Sequence, residues 1–264
     1  MSGIAAAALA AARPTGPSEA SLLGRTSPLV KLAVAIAWLT GMTLSLDPVP
    51  PLILALAAFV GGALLGAIRL RRMATWMAPL WIGALGIAAF NALFAAANAD
   101  PAAVEAFRVG PGRVTEPALI AGLALGLRVL AIASVSAVFV LTTGPTRLAD
   151  ALVQQARLPA RFAYGALAAY QAVPRLADDL SDLRAARRTR GLRGGWHPRV
   201  LLGLLVLAVR HADRLALAMD ARAFGIGPRS AYREVRITLR DPAVLGLGLG
   251  ALLLALLAGG TLGP

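Results

Sequence analysis

The sequence predicts an all-α integral membrane protein, with about five transmembrane helices and a cytoplasmic set of amphipathic helices between the fourth and the last. Three observations lead there. The 264 residues are 58% hydrophobic and only 15% charged, a balance foreign to soluble globular domains. Five apolar stretches, 28–46, 51–68, 74–97, 117–141 and 242–258, come near the roughly 20 residues that a bilayer crossing requires. The formal net charge of +13 is segregated, most of the arginines falling between 144 and 241, and this distribution argues against nucleic acid as the partner.

Taken in order, residues 1–24 read as a disordered tail of Ala, Pro, Ser and Gly. Their Ile4 to Ala12 run lacks a preceding positive region and is followed by Arg13, so it is a poor secretory signal. The loop Asp47-Pro48-Val49-Pro50-Pro51 carries no cation, whereas Arg69, Arg71 and Arg72 follow the second span. Because short cytoplasmic loops are enriched in Lys and Arg, the N-terminus and the second loop are expected in the cytoplasm, and Arg13, Arg25 and Lys31 agree. The loop 98–116 mixes Asp100, Glu105 and Glu116 with Arg108 and Arg113 and is expected outside. A four-span bundle over 25–143, a cytoplasmic region over 144–240 and a C-terminal transmembrane helix over 241–264 follow. The glycine pairs Gly62/Gly66, Gly122/Gly126 and Gly246/Gly250 suit close helix approach in lipid. Arg128, the one charge deep in the fourth span, is expected to pack against polar groups or to snorkel, with an ion path as the alternative.

Several chemistries are excluded. The chain has no cysteine, and His197 and His211 lack metal-site spacing. Its one lysine, Lys31, stands in no phosphate-loop context, so the chain does not hydrolyse ATP by itself. Gly246-Leu247-Gly248-Leu249-Gly250 follows no strand and reads as packing. No catalytic residue, metal or cofactor is expected.

The cytoplasmic region reads as three helical segments. Residues 145–157 carry Leu148, Leu152 and Ala156 on one face; 160–190 carry Leu176, Leu180 and Leu183 on a stripe and contain Pro174, which should kink or divide them; 198–224 open with an apolar run, 200–209, too short to span. That run should be buried against the other helices or lie at the membrane face. Arg190 and Arg222 each stand near the C-terminal end of a segment, before Gly191 and Gly225, the expected left-handed stops. The placement suggests two charged plugs offered to a cytoplasmic partner. Asp178, Asp179 and Asp182 resemble the magnesium-diphosphate motif of prenyl-diphosphate enzymes, but no second aspartate-rich helix accompanies them, and helix-surface carboxylates facing nearby arginines are the plainer reading.

The order of these features resembles the T-component family of energy-coupling-factor transporters, which includes the CbiQ-type cobalt-transport proteins. Arg25-Thr26-Ser27-Pro28-Leu29-Val30-Lys31 looks like its entry to the first helix. Leu127-Arg128-Val129, Leu141-Thr142-Thr143-Gly144-Pro145, Leu158-Pro159-Ala160-Arg161-Phe162 and Val173-Pro174-Arg175-Leu176 look like its later punctuation. The family's two Ala-Arg-Gly motifs fall on Thr189-Arg190-Gly191 and Ala221-Arg222-Ala223, with Thr189 in place of the first alanine and Ala223 in place of the second glycine.

The resemblance implies a component of the cell membrane that couples two cytoplasmic ATPase subunits to a membrane S-component importing a vitamin or a transition-metal ion. Thr189, Arg190, Gly191, Ala221, Arg222 and Ala223 would engage the ATPases. Leu176, Leu180 and Leu183, with the 200–209 run, would meet the S-component. The alternatives are a polyprenyl-diphosphate-using membrane transferase built on Asp178, Asp179 and Asp182, and a stand-alone secondary transporter, for which no internal repeat is visible.

Overall fold

A computed structural model of the chain describes residues 21–43, 45, 47–109, 112–192, 197–225 and 233–262. Its helices are α1 (Leu22–Arg25), α2 (Pro28–Thr43), α3 (Val49–Leu64), α4 (Leu70–Phe94), α5 (Glu116–Thr142), α6 (Pro145–Gln154), α7 (Ala160–Thr189), α8 (Pro198–Ala221) and α9 (Arg240–Leu262), with a hairpin of β1 (Glu105–Val109) and β2 (Gly112–Thr115) between α4 and α5. The chain divides into two compact units, residues 1–148 with 236–264, and residues 149–235.

The first unit is the membrane unit. Met77–Ala99, Glu116–Thr142 and Arg240–Gly260 are long and apolar enough to cross a bilayer. The helices α2 and α3 are apolar but have 16 residues each. At 1.5 Å per residue that is about 24 Å, less than the roughly 30 Å hydrocarbon core, so the first two expected spans are shorter than their apolar stretches. The core joins Trp38 and Met42 of α2, Leu54 and Ala58 of α3, Ala131 and Val135 of α5 and Ala255 of α9. A second cluster, Met73, Met77 and Ala133, joins α4 to α5.

Glycine decides where backbones touch. A Cβ on Gly122 would fall 2.6 Å from the Ala88 carbonyl oxygen, and one on Gly126 would fall 2.8 Å from Ala88 Cβ, so this pair brings α4 and α5 into direct contact. A Cβ on Gly62 would lie 2.8 Å from Val138 Cγ2. The pair Gly246/Gly250 behaves differently, since a Cβ on either meets nothing within 4 Å. Between them it is Gly248 that packs: a Cβ there would fall 2.6 Å from Val34 Cγ1, and its carbonyl accepts the Trp38 indole N–H at 2.7 Å.

Two expectations for the loops change. Residues 21–24 are not tail: Ser21 Oγ accepts from Gly24 N at 2.9 Å and caps α1, Leu23 is buried, and Leu23 N donates to Leu65 O at 3.0 Å. Residues 1–20 of the expected tail lie outside the described residues. The loop 98–116 contains an antiparallel hairpin, with Arg108 paired to Arg113 and Val109 to Gly112. The like charges are tolerated because Glu105 pairs with both arginines, and the Arg108 hydrogen bond holds its carboxyl below the ordinary carboxylate range. The alternation around Gly110-Pro111-Gly112 was the readable signal for this hairpin.

Polar groups gather at one end of the membrane unit. Asp241, 1% exposed, accepts from Ser27 N through Oδ1 and from Thr238 N through Oδ2, both at 2.6 Å. It therefore ties the start of α2 to the start of α9. The Lys31 ammonium donates to the carbonyls of Leu23 at 3.0 Å and Thr142 at 2.8 Å, joining α1, α2 and the end of α5. The Asp241 carboxylate and the Lys31 ammonium are thus both paired, as a medium without water demands. Arg128 also receives a role: its Nη2 donates to Ser45 O at 2.5 Å, just beyond α2. This is the packing alternative for that cation.

Candidate functional site

The second unit carries the residues singled out in the 144–240 region. After Pro159, which cannot continue the preceding helix, α7 runs for 30 residues straight through Pro174. Proline there costs one backbone hydrogen bond, and the surrounding turns hold the helix as one piece, so it is not divided. The helix α8 starts at Pro198, with His197 as its cap: Nδ1 accepts from Arg199 N at 3.2 Å.

Three contacts set the register between α7 and α8. Leu183 Cδ1 lies 3.5 Å from where a Cβ on Gly203 would sit, Arg175 Nη1 lies 3.1 Å from His211 Nε2, and the Tyr164 ring stands edge-on to Phe224 with centroids 6.2 Å apart. As the α7 number falls, the α8 number rises by nearly the same amount, so the helices run antiparallel. Arg190 lies beyond the Leu183 end and Arg222 beyond the other end, next to Phe224. The fold therefore separates the two arginine motifs instead of bringing them together.

The two ends are built alike. At the end of α7 Arg190 is the capping residue, Gly191 has φ 73°, Gly191 N donates to Arg188 O at 3.0 Å and Leu192 N donates to Arg187 O at 3.2 Å. At the end of α8 Arg222 is the capping residue, Ala223 has φ 53°, Ala223 N donates to Asp220 O at 2.9 Å and Phe224 N donates to Met219 O at 3.0 Å. Both are Schellman stops, with a left-handed residue directly after the arginine. This corrects the expected second stop: the residue that ends α8 is Ala223, and Gly225, also left-handed at φ 85°, comes two residues later. A Cβ in that conformation costs roughly 1 kcal/mol, and α8 tolerates it where α7 uses glycine. Thr189 fits its place by donating its hydroxyl to Ala186 O at 2.9 Å. Arg190 and Arg222 are exposed, as are Thr189, Gly191, Ala221 and Ala223.

Residues that the sequence did not single out hold the Arg222 end in place. The Tyr164 hydroxyl donates to Asp150 Oδ1 of α6 at 2.8 Å; burial first, then the bond to Asp150, raises its pKa above the ordinary phenol value and keeps it a donor. Further along α6, Gln154 Nε2 donates to Arg233 O at 2.7 Å, Val235 N donates to Gln154 Oε1 at 2.9 Å, and Gln155 Nε2 donates to Val235 O at 3.1 Å. The chain leaving the unit is thereby bound to the helix that enters it. Partners about 80 residues apart leave no local pattern.

Leu176, Leu180 and Leu183 are half-buried and form one stripe of α7, with Leu183 in the α7–α8 seam. The 200–209 run is not buried against other helices. Only Val200 is, whereas Leu201, Leu202, Leu205, Val206 and Val209 are exposed, an apolar face of the kind that marks a protein or membrane contact. Asp178 and Asp182 are exposed on α7. Among the described residues no group of three or more His, Cys, Asp or Glu is placed to hold a metal ion, and no ion pair joins Asp178, Asp179 or Asp182 to an arginine.

The sequence matches the family described as cobalt transport protein, CbiQ, over residues 19–232. Its curated relatives include proteins described as energy-coupling factor transporter transmembrane protein EcfT. That of Streptococcus thermophilus is 32% identical over 162 residues, 53% of this chain and 61% of the relative. That of Lactococcus lactis subsp. cremoris is 26% identical over 238 residues, covering 84% of this chain and 87% of the relative. That of Bacillus subtilis is 29% identical over 156 residues, 53% and 59%. The match thus spans about three fifths of two of these relatives and most of the third.

Proposed function

Because the chain belongs to the CbiQ family of cobalt transport proteins, we propose that it is the transmembrane coupling component of an energy-coupling-factor importer. In this reading two separate ATPase subunits in the cytoplasm bind the ends of α7 and α8, and a membrane S-component carries the substrate, a vitamin or a transition-metal ion. The observation that carries it is the pair of equivalent helix stops, each presenting an exposed arginine, at opposite ends of one antiparallel helix pair. A guanidinium at a helix end offers a planar five-donor fork suited to carboxylates and carbonyls in a groove. Two such forks facing opposite ways suit two subunits and not one. The apolar face of α8, together with the Leu176, Leu180 and Leu183 stripe of α7, is the surface proposed for the S-component.

The test is purification of the tagged chain from its native membrane. ATPase subunits are expected to copurify, and the chain freed of them is expected to hydrolyse no ATP, since it has no phosphate loop. Uptake by the chain alone in liposomes would overturn the coupling role in favour of a secondary transporter.

The loop charges support an orientation with the N-terminus and the 149–235 unit in the cytoplasm. The chain lacks cysteine, so single cysteines report it directly. Cysteines at 69–71 and 184–192 are expected to resist an impermeant thiol reagent in intact cells, and those at 101–108 to react. Labelling of 184–192 from outside would reverse the topology.

A further inference from the structure

Within the membrane unit a cavity of about 380 Å³ lies between α2, α3, α5 and α9, a volume in the range of small-ligand sites, roughly 300–1,000 Å³. Its walls include Val34, Trp38, Val138, Phe139 and Leu247, and Gly61, Gly62 and Gly248 also line it; of the three, Gly61 faces open space. Lys31 and Thr142 stand among the lining residues and are its polar groups. Leu64 and Leu247, also in the lining, are exposed, so the cavity reaches the flank of the bundle.

Charge at the polar end is unbalanced. Lys31, 7% exposed, donates to Leu23 O, and Arg147 donates to the next carbonyl, Gly24 O. The nearby carboxylate, Asp241, spends its two oxygens on Ser27 and Thr238, and among the described residues it forms no ion pair with either cation. Thr142 Oγ1, at 3.4 Å, is a weak third partner for the ammonium, which leaves capacity for a stronger acceptor.

We propose that this cavity holds one acyl chain of an anionic phospholipid, with the headgroup phosphate at the Lys31 and Arg147 end. An acyl chain matches the walls because it brings no polar group into them. A peptide segment would bury backbone N–H and C=O groups that these walls cannot satisfy. The two cations on adjacent carbonyls supply the complementary charge for a phosphate.

Native mass spectrometry and thermal melting of the full chain in detergent test this, with phosphatidylglycerol, phosphatidylcholine and inorganic phosphate as probes. Phosphatidylglycerol is expected to bind and to raise the melting temperature, phosphatidylcholine to bind less tightly, and phosphate alone to do neither. A Cβ on Gly61 meets nothing within 4 Å, so Gly61→Leu fills empty space. It is expected to weaken phosphatidylglycerol binding about tenfold or more, the effect of displacing two or so methylenes, without lowering the lipid-free melting temperature. Ala57→Leu, on another part of the wall, serves if Gly61→Leu does not fold. Equal binding of the two lipids, equal stabilisation by phosphate alone, undiminished binding to the filled variants, or a partner protein crosslinked into the cavity in place of lipid would each overturn the proposal.

Discussion

Replacing Arg190 and Arg222 together by alanine is expected to abolish substrate uptake and to release the ATPase subunits, while the chain still inserts in the membrane. Truncating a hydrogen-bonded charge at an interface costs about 2–5 kcal/mol, and each arginine is proposed to enter a groove on a different subunit. Single substitutions should therefore weaken binding, and the double substitution should exceed what the remaining contacts supply. Insertion survives because both residues cap helices of the second unit, outside the apolar spans. Lysine should not restore function at either position, since a point charge does not reproduce the planar fork. Arg188→Ala is the control: Arg188 is exposed one residue before the end of α7, where a solvated cation contributes about 0–1 kcal/mol. Ala223→Gly is the second control and should retain coupling while relieving the left-handed strain of roughly 1 kcal/mol at φ 53°. Pull-down of the ATPases from solubilised membranes, read beside uptake, decides the matter. Normal uptake by the double variant with its ATPases still bound would show that the arginine ends do not carry the coupling.

Asp241→Ala is expected to destabilise the membrane unit by about 3–5 kcal/mol, because two buried backbone donors, Ser27 N and Thr238 N, lose a charged acceptor. The loss appears as a lower melting temperature and a smaller yield of monodisperse protein in detergent. Asp241→Asn should be milder, since its amide oxygen still serves one of the two donors. Lys31→Met should also destabilise, by freeing the carbonyls of Leu23 and Thr142 at once. An unchanged melting curve for Asp241→Ala would mean that the start of α9 is held to α2 by packing alone, through Gly248 against Val34 and Trp38.

The membrane class, the number and order of apolar helices, the three helical segments of the 144–240 region and the arginines near the ends of two of them are all legible in the amino-acid order. These rest on local quantities: runs of hydrophobicity, proline that cannot continue a helix, and a helix-end pattern read within one or two turns. The misses share one cause. Which glycine of α9 packs, Gly248 and not Gly246 or Gly250, depends on a helix more than 200 residues away in the chain. The partners of Lys31, Arg128 and Asp241 are likewise fixed by helix packing, as is the bonding of Gln154 and Gln155 to residues 233–235. The stop at Ala223 was hidden for a related reason: propensity favours Gly225, whereas the two hydrogen bonds of the Schellman turn and the seat of Phe224 against Tyr164 hold an alanine in the left-handed region. Most consequential is the antiparallel register of α7 and α8, set by Leu183 against Gly203 and Arg175 against His211. Local sequence specifies that each helix ends in an arginine, but only side-chain packing between the helices decides that the two arginines face opposite ways.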